Sequence, residues 1–232
     1  MDFLARPARL AATLAVAAAA CLLSLSGCNV IGIAAQIAGP PDIGAAYTGL
    51  KGQTVGVLVW VDRGARVDYP TLQSDIAKGL TGKLTELSQP KDKKGKPKPE
   101  MEGVQYLNPM TVIRFQEDHP ELEGLPPKDV ATRLGVTRVI YIEVKDFRTH
   151  SPDSPDIFKG MMTAGVQVLE VTTGPNKVAT VGYNQADMEI NYPPDRPEGL
   201  PFGDVSAQAL YDKTVDEFTS QVALLFIRHP SK

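Results

Sequence analysis

The spacing of apolar positions divides the chain into a short series of elements. Leu10 to Leu25 form an apolar run of mainly Ala, Leu and Val, with Arg6 and Arg9 ahead of it. Thr54 to Asp62 reads Thr-Val-Gly-Val-Leu-Val-Trp-Val-Asp, apolar on both faces, which predicts a strand covered on both sides. Leu72, Ile76, Leu80, Leu84 and Leu87 then recur at helical spacing and form one stripe of an amphipathic helix, so the domain opens as a β-α-β unit. Val104 to Leu107 predict a short strand. Asn108-Pro109 predict the cap and first position of a helix running to about Asp118, which His119-Pro120 stops. Pro126-Pro127 open another short helix, with Gly135 placed to end it. Thr137 to Phe147, Met162 to Val171 and Val178 to Ile190 predict three strands, the second and third forming a hairpin or meander, and His150 to Ile157 predict a turn-rich connection. A last helix is expected from a cap at Asp204 to about Ile227, with Tyr211, Val215, Phe218, Val222 and Leu225 on one stripe.

This order predicts an α/β (α+β) sandwich, a mixed sheet of four to five strands with helices mainly on one face. Asn29 to about Gly52 is small, apolar and rich in Gly, Ala and Pro. It reads either as a tether or, through Ile31 to Ile37, as a first helix packed on the domain. The expected boundaries are a signal peptide over 1–27, a modified cysteine and tether over 28–52, and a single α/β domain over 53–230.

The amino-terminal run decides where the protein works. A basic start, an apolar core and small residues leading to a cysteine have the pattern of a secretory signal peptide. Its ending, Leu25-Ser26-Gly27-Cys28, resembles the lipobox of bacterial lipoproteins. That resemblance implies cleavage after Gly27 and acylation of Cys28, which becomes the first mature residue. Each buried acyl CH₂ contributes about 0.8 kcal/mol, so several chains hold a domain on a membrane surface without spanning it. No other apolar run reaches the roughly 18 residues that crossing a bilayer requires. Asn29 after the cysteine resembles the outer-membrane sorting pattern of two-membrane bacteria, which implies the periplasmic face of that membrane.

Composition narrows the rest. Without residues 1–27 the chain carries 22 basic and 26 acidic side chains, a formal charge of −4 that points to no nucleic acid. Of the two cysteines, Cys21 lies in the signal peptide and Cys28 at its end, so the mature domain has no thiol for a disulfide, metal site or nucleophile. Neither cofactor nor metal is expected.

Candidate chemistry is sparse. Gly79-Leu-Thr-Gly82-Lys83-Leu84 lacks the spacing and the hydroxyl after Lys of a phosphate loop, and it lies within a helix. Glu117, Asp118, His119, Glu121 and Glu123 form the densest group of ligand types and read as a charged helix end. His150 with Asp146 and Asp153 has no Gly-x-Ser-x-Gly elbow beside it, so a hydrolase is the least favoured class. Two stretches point to contact with a partner. Trp60 closes the first strand, as a core residue or an aromatic anchor, and Asp62, Arg63 and Arg66 follow it. Lys91, Lys93, Lys94, Lys96 and Lys98 crowd a loop that reads as solvated, or as a contact for anionic polymer or headgroups.

The segment Ala131-Thr-Arg-Leu-Gly-Val, the strand Thr137-Arg-Val-Ile-Tyr-Ile-Glu-Val, a hairpin and a closing helix resemble the periplasmic α/β domain shared by the TolB amino-terminal domain and the lipoproteins LpoB and CsgG. The resemblance implies a non-enzymatic module that binds other envelope proteins, and the cell-wall polymer is a second ligand class that the residues leave open. A subunit of an oligomeric outer-membrane secretion assembly is the alternative.

Metabolic labelling with palmitate is expected to mark the protein and to lose the mark in Cys28→Ala. Label retained by that variant contradicts the assignment of the anchor.

Overall fold

The computed structural model describes residues 41–89, 98–151, 154–201 and 203–231. Strand β1 (Thr54–Val61) turns Val55, Val57, Val59 and Val61 to one side and Leu58 and Trp60 to the other, so a layer is needed on each. It runs inside a six-stranded sheet with β2 (Gln105–Tyr106), β3 (Arg138–Ser151), β4 (Ser154–Val171), β5 (Ala179–Tyr192) and β6 (Leu200–Pro201). The order is β2-β1-β3-β4-β5, and β6 pairs with the start of β4. β1 is parallel to β2 and β3, and the long strands that follow are antiparallel. Opposite Trp60 in the register stands Glu143.

Helices α1 (Arg63–Asp68), α2 (Leu72–Ser88), α3 (Pro109–Asp118), α4 (Pro127–Arg133) and α5 (Ala207–Leu224) complete the layers. Leu72, Ile76, Leu80 and Leu84 of α2 join Phe218 and Val222 of α5 over the valine side of β1 and over Ile140, Ile142, Val166 and Val168. The second face carries a smaller cluster. There Val112 of α3, Leu122 of the 3₁₀ turn Pro120–Gly124 and Val130 of α4 pack on Leu58, Val139, Leu169 and Val171. Each fully buried aliphatic side chain contributes about 1.5–3 kcal/mol, so the larger cluster dominates stability.

The layered α/β class is as expected, but two details differ. The sheet has six strands instead of four to five, and helices cover both faces instead of mainly one. The apolar character of both sides of β1 already required the second layer. The interval His150 to Ile157 is largely strand, because β3 and β4 continue as a bulged hairpin, with register shifts near Val144, Arg148 and His150. The last helix is capped by Ser206, whose hydroxyl accepts from Ala209 N–H at 3.1 Å, and not by Asp204. Asn108 caps α3 as expected, accepting from Met110 N–H at 2.9 Å.

The chain divides into two compact units, Gly44–His229 and residues 1–43 with 230–232. In the smaller, Ser231 N–H donates to Pro41 O at 2.9 Å. In the larger, Tyr47 and Leu50 are buried in the main core, and Tyr47 N–H donates to Leu225 O at 3.0 Å just past α5.

α5 sits tightly on β4 at Gly160, where an added methyl would run into the hydroxyl of fully buried Thr214. Overpacking of this kind costs about 1–3 kcal/mol. Gly160→Ala is therefore expected to lower the urea midpoint, and Thr214→Ala in the same chain to restore part of the loss. An unchanged midpoint in the single variant contradicts the close approach.

Candidate binding groove at the ends of β1 and β3

Trp60 stands near the end of β1, half-buried against the smaller cluster, and so is neither a fully closed core residue nor a free one. Asp62 follows the strand, and its position is doubly fixed. Its N–H donates to Val144 O at 2.9 Å, and its Oδ1 accepts from Gly64 N–H at 2.8 Å, which caps α1. The short helix α1 then projects Arg63 to solvent and brings Arg66 to Glu123 Oε1 at 2.6 Å.

β3 supplies the other wall. Tyr141, Glu143 and Lys145 follow one another along the side of the strand away from α2 and α5, whose side is taken by Ile140, Ile142 and Val144. Together with Trp60, Asp62, Arg63 and Glu123 they line a groove of about 380 Å³. Burial, and then the charge of Glu143, push the Tyr141 phenol up to about 12. Lys145 Nζ donates to Asp187 Oδ1 at 2.8 Å and to Ala186 O at 3.0 Å on β5, and the Asp187 bond chiefly raises its pKa. To reach β5 the lysine passes over Gly165 of β4. A methyl there would stand 3.2 Å from Ala186 O, a tight approach, and 3.9 Å from Lys145 Cε, an ordinary contact.

Three of the partner-contact candidates, Trp60, Asp62 and Arg63, thus share one groove, and Arg66 supports its rim through Glu123. Lys98 is elsewhere. Its N–H donates to Leu87 O near the end of α2 and its Nζ to Arg228 O, both at 3.4 Å. Gly27, Cys28, Lys91, Lys93, Lys94 and Lys96 lie outside the described residues. In the sequence, Glu143 and Lys145 alternate with Ile140, Ile142 and Val144 along Thr137 to Phe147 and so read as a face toward water or a partner, whereas only folding brings Glu123 beside Arg66.

The other chemical candidates are dispersed. His119 Nδ1 bonds Phe115 O at 2.9 Å, Glu121 faces Arg133 at 4.0 Å, and Glu123 belongs to Arg66. His150 contacts Thr149 Oγ1 and rests on the Phe158 ring, while Asp146 pairs with Arg148 at 3.0 Å. Among the described residues no group of three His, Cys, Asp or Glu side chains converges as metal ligands would. Asp153 lies outside the described residues. Gly79 to Lys83 are helical, as expected.

No protein-family model and no curated protein matches the chain. Among solved structures, the PelC dodecamer from Paraburkholderia phytofirmans is 9% identical, over 81% of this chain and 97% of that one, with a TM-score of 0.41. Lipoprotein GNA1162 from Neisseria meningitidis is 12% identical over 73% of this chain and 97% of its own, with a TM-score of 0.39. The hypothetical protein CT253 from Chlamydia trachomatis is 13% identical over 75% and 96%, also with a TM-score of 0.39. None of these values identifies a family.

Tyr47 and Tyr106 share the upward displacement of Tyr141, each to about 12, and Tyr211 is raised as well, with burial the largest cause in each case. A phenol raised above its unfolded value of about 10 favours folding while protonated. That contribution is complete below pH about 10 and disappears as pH climbs toward about 12. Stability to urea is expected to fall across this window, with several phenols ionising only as the chain unfolds, as read by phenolate absorbance. Normal titration of every tyrosine in the folded protein contradicts this.

Proposed function

We propose that this protein is a bacterial cell-envelope lipoprotein, acylated at Cys28 and held on the periplasmic face of the outer membrane, whose domain binds another envelope protein without catalysing a reaction. The observation that carries the reading is the run from Arg6 to Leu25 ending in Leu25-Ser26-Gly27-Cys28. Among the described residues no helix is long and apolar enough to cross a membrane, so attachment through lipid fits the chain.

The placement of the groove supports an adaptor. Within the larger unit the Tyr47 hydroxyl accepts from Arg138 Nε at 3.0 Å, at the start of β3. The groove lies at the far ends of the parallel pair β1 and β3, and eight residues of strand cover roughly 25 Å. A groove lined by aromatic and charged side chains at that end offers a surface to a partner. The groove pairs no nucleophile with a base, which favours binding over turnover.

Crosslinking of the intact protein in native membranes, with mass spectrometry of the captured species, tests this reading. One envelope protein should be captured, and lost in Cys28→Ala. Capture of glycan strands instead would assign the domain to the cell-wall polymer. Recovery of self-crosslinks alone would favour an oligomeric assembly, and a catalytic product would contradict the non-enzymatic reading.

A further inference from the structure

The charges of the groove differ in how far they are already engaged. Arg66 is committed to Glu123, and Lys145 to Asp187 and the Ala186 carbonyl. Neither Glu143 nor Arg63 forms an ion pair among the described residues, and Asp62 faces a backbone N–H and no cation. Two carboxylates that form no ion pair among the described residues therefore border the aromatic pair Trp60 and Tyr141, with Arg63 at the outer edge on α1. The negative field is felt locally, since Glu143 helps to hold both Tyr141 and Lys145 in their protonated forms.

Aromatic side chains beside a free carboxylate suit one kind of guest. A guanidinium or ammonium gains from a ring and from the carboxylate together, and its aliphatic stem covers apolar surface. We infer that the groove takes a basic segment of a partner protein, with an arginine or lysine seated between Trp60 and Glu143. This rests on the reading of the protein as a binding module and names the chemistry of its partner. An acidic segment would meet Glu143 and Asp62 unpaired, which disfavours it.

Because Trp60 is the chain's one tryptophan, its emission reports on the groove alone. The acylated mature protein in neutral detergent is titrated with a nona-arginine peptide, and with nona-glutamate as the comparison. A saturable change in emission is expected for the arginine peptide only. Glu143→Gln should weaken it roughly tenfold, the scale of one lost charge-assisted bond. Arg63→Gln, which removes the competing cation, should tighten it. No response to nona-arginine, an equal response to nona-glutamate, indifference to Glu143→Gln, or weakening by Arg63→Gln each overturns the inference. Palmitate labelling at Cys28 is scored separately, so loss of the anchor and loss of the basic guest are distinguishable.

Discussion

Most of the structure depends on the two-sided burial of β1. Four valines on one side and Leu58 with Trp60 on the other cannot be hidden by a single layer, so the strand must lie inside the sheet and between helices. That requirement seats α2 and α5 on one face and α3, the Pro120–Gly124 turn and α4 on the other. It also leaves the end of the strand half-covered. The second layer is shorter than the first, and where it stops Glu143 and Lys145 come to the surface beside half-buried Trp60, over the buried ring of Tyr141. The groove is thus a consequence of incomplete burial.

Much of this was legible in the sequence for simple reasons. The leucine spacing of α2, the Asn-Pro start of α3 and the apolar alternation of β3 are local signals, and local signals survive folding. The two-sided covering of Thr54 to Asp62 is legible, but the expected architecture of four to five strands with helices mainly on one face does not carry it through, and the sheet has six strands with helices on both faces. The extension of β3 to Ser151 and of β4 from Ser154 is masked in the sequence by the Ser-Pro-Asp steps, which read as turns, while pairing of His150 with Phe158 and Ser151 with Ser154 continues the hairpin. Ser206 and Asp204 are both good caps by residue type, and only the bond from Ala209 N–H distinguishes them.

The groove was half legible. Trp60, Asp62 and Arg63 are neighbours in sequence and could be found together. Tyr141, Glu143 and Lys145 join them through a parallel pairing across more than eighty intervening residues, and Glu123 through a surface ion pair. Lys98, grouped with Trp60 as a contact in the sequence, is bonded near the end of α2 and at Arg228, away from the groove lining. Long-range register, more than composition, decides which of these residues act as one surface.

The central claim is that the anchored protein meets its partner through the groove. Photocrosslinking in native membranes tests it most directly, with a photoreactive residue at position 63 on the groove rim in one chain and at position 98, outside the groove lining, in another. Capture of one envelope protein from position 63 and not from position 98 is expected. Capture from position 98 alone, or equally from both, would contradict it.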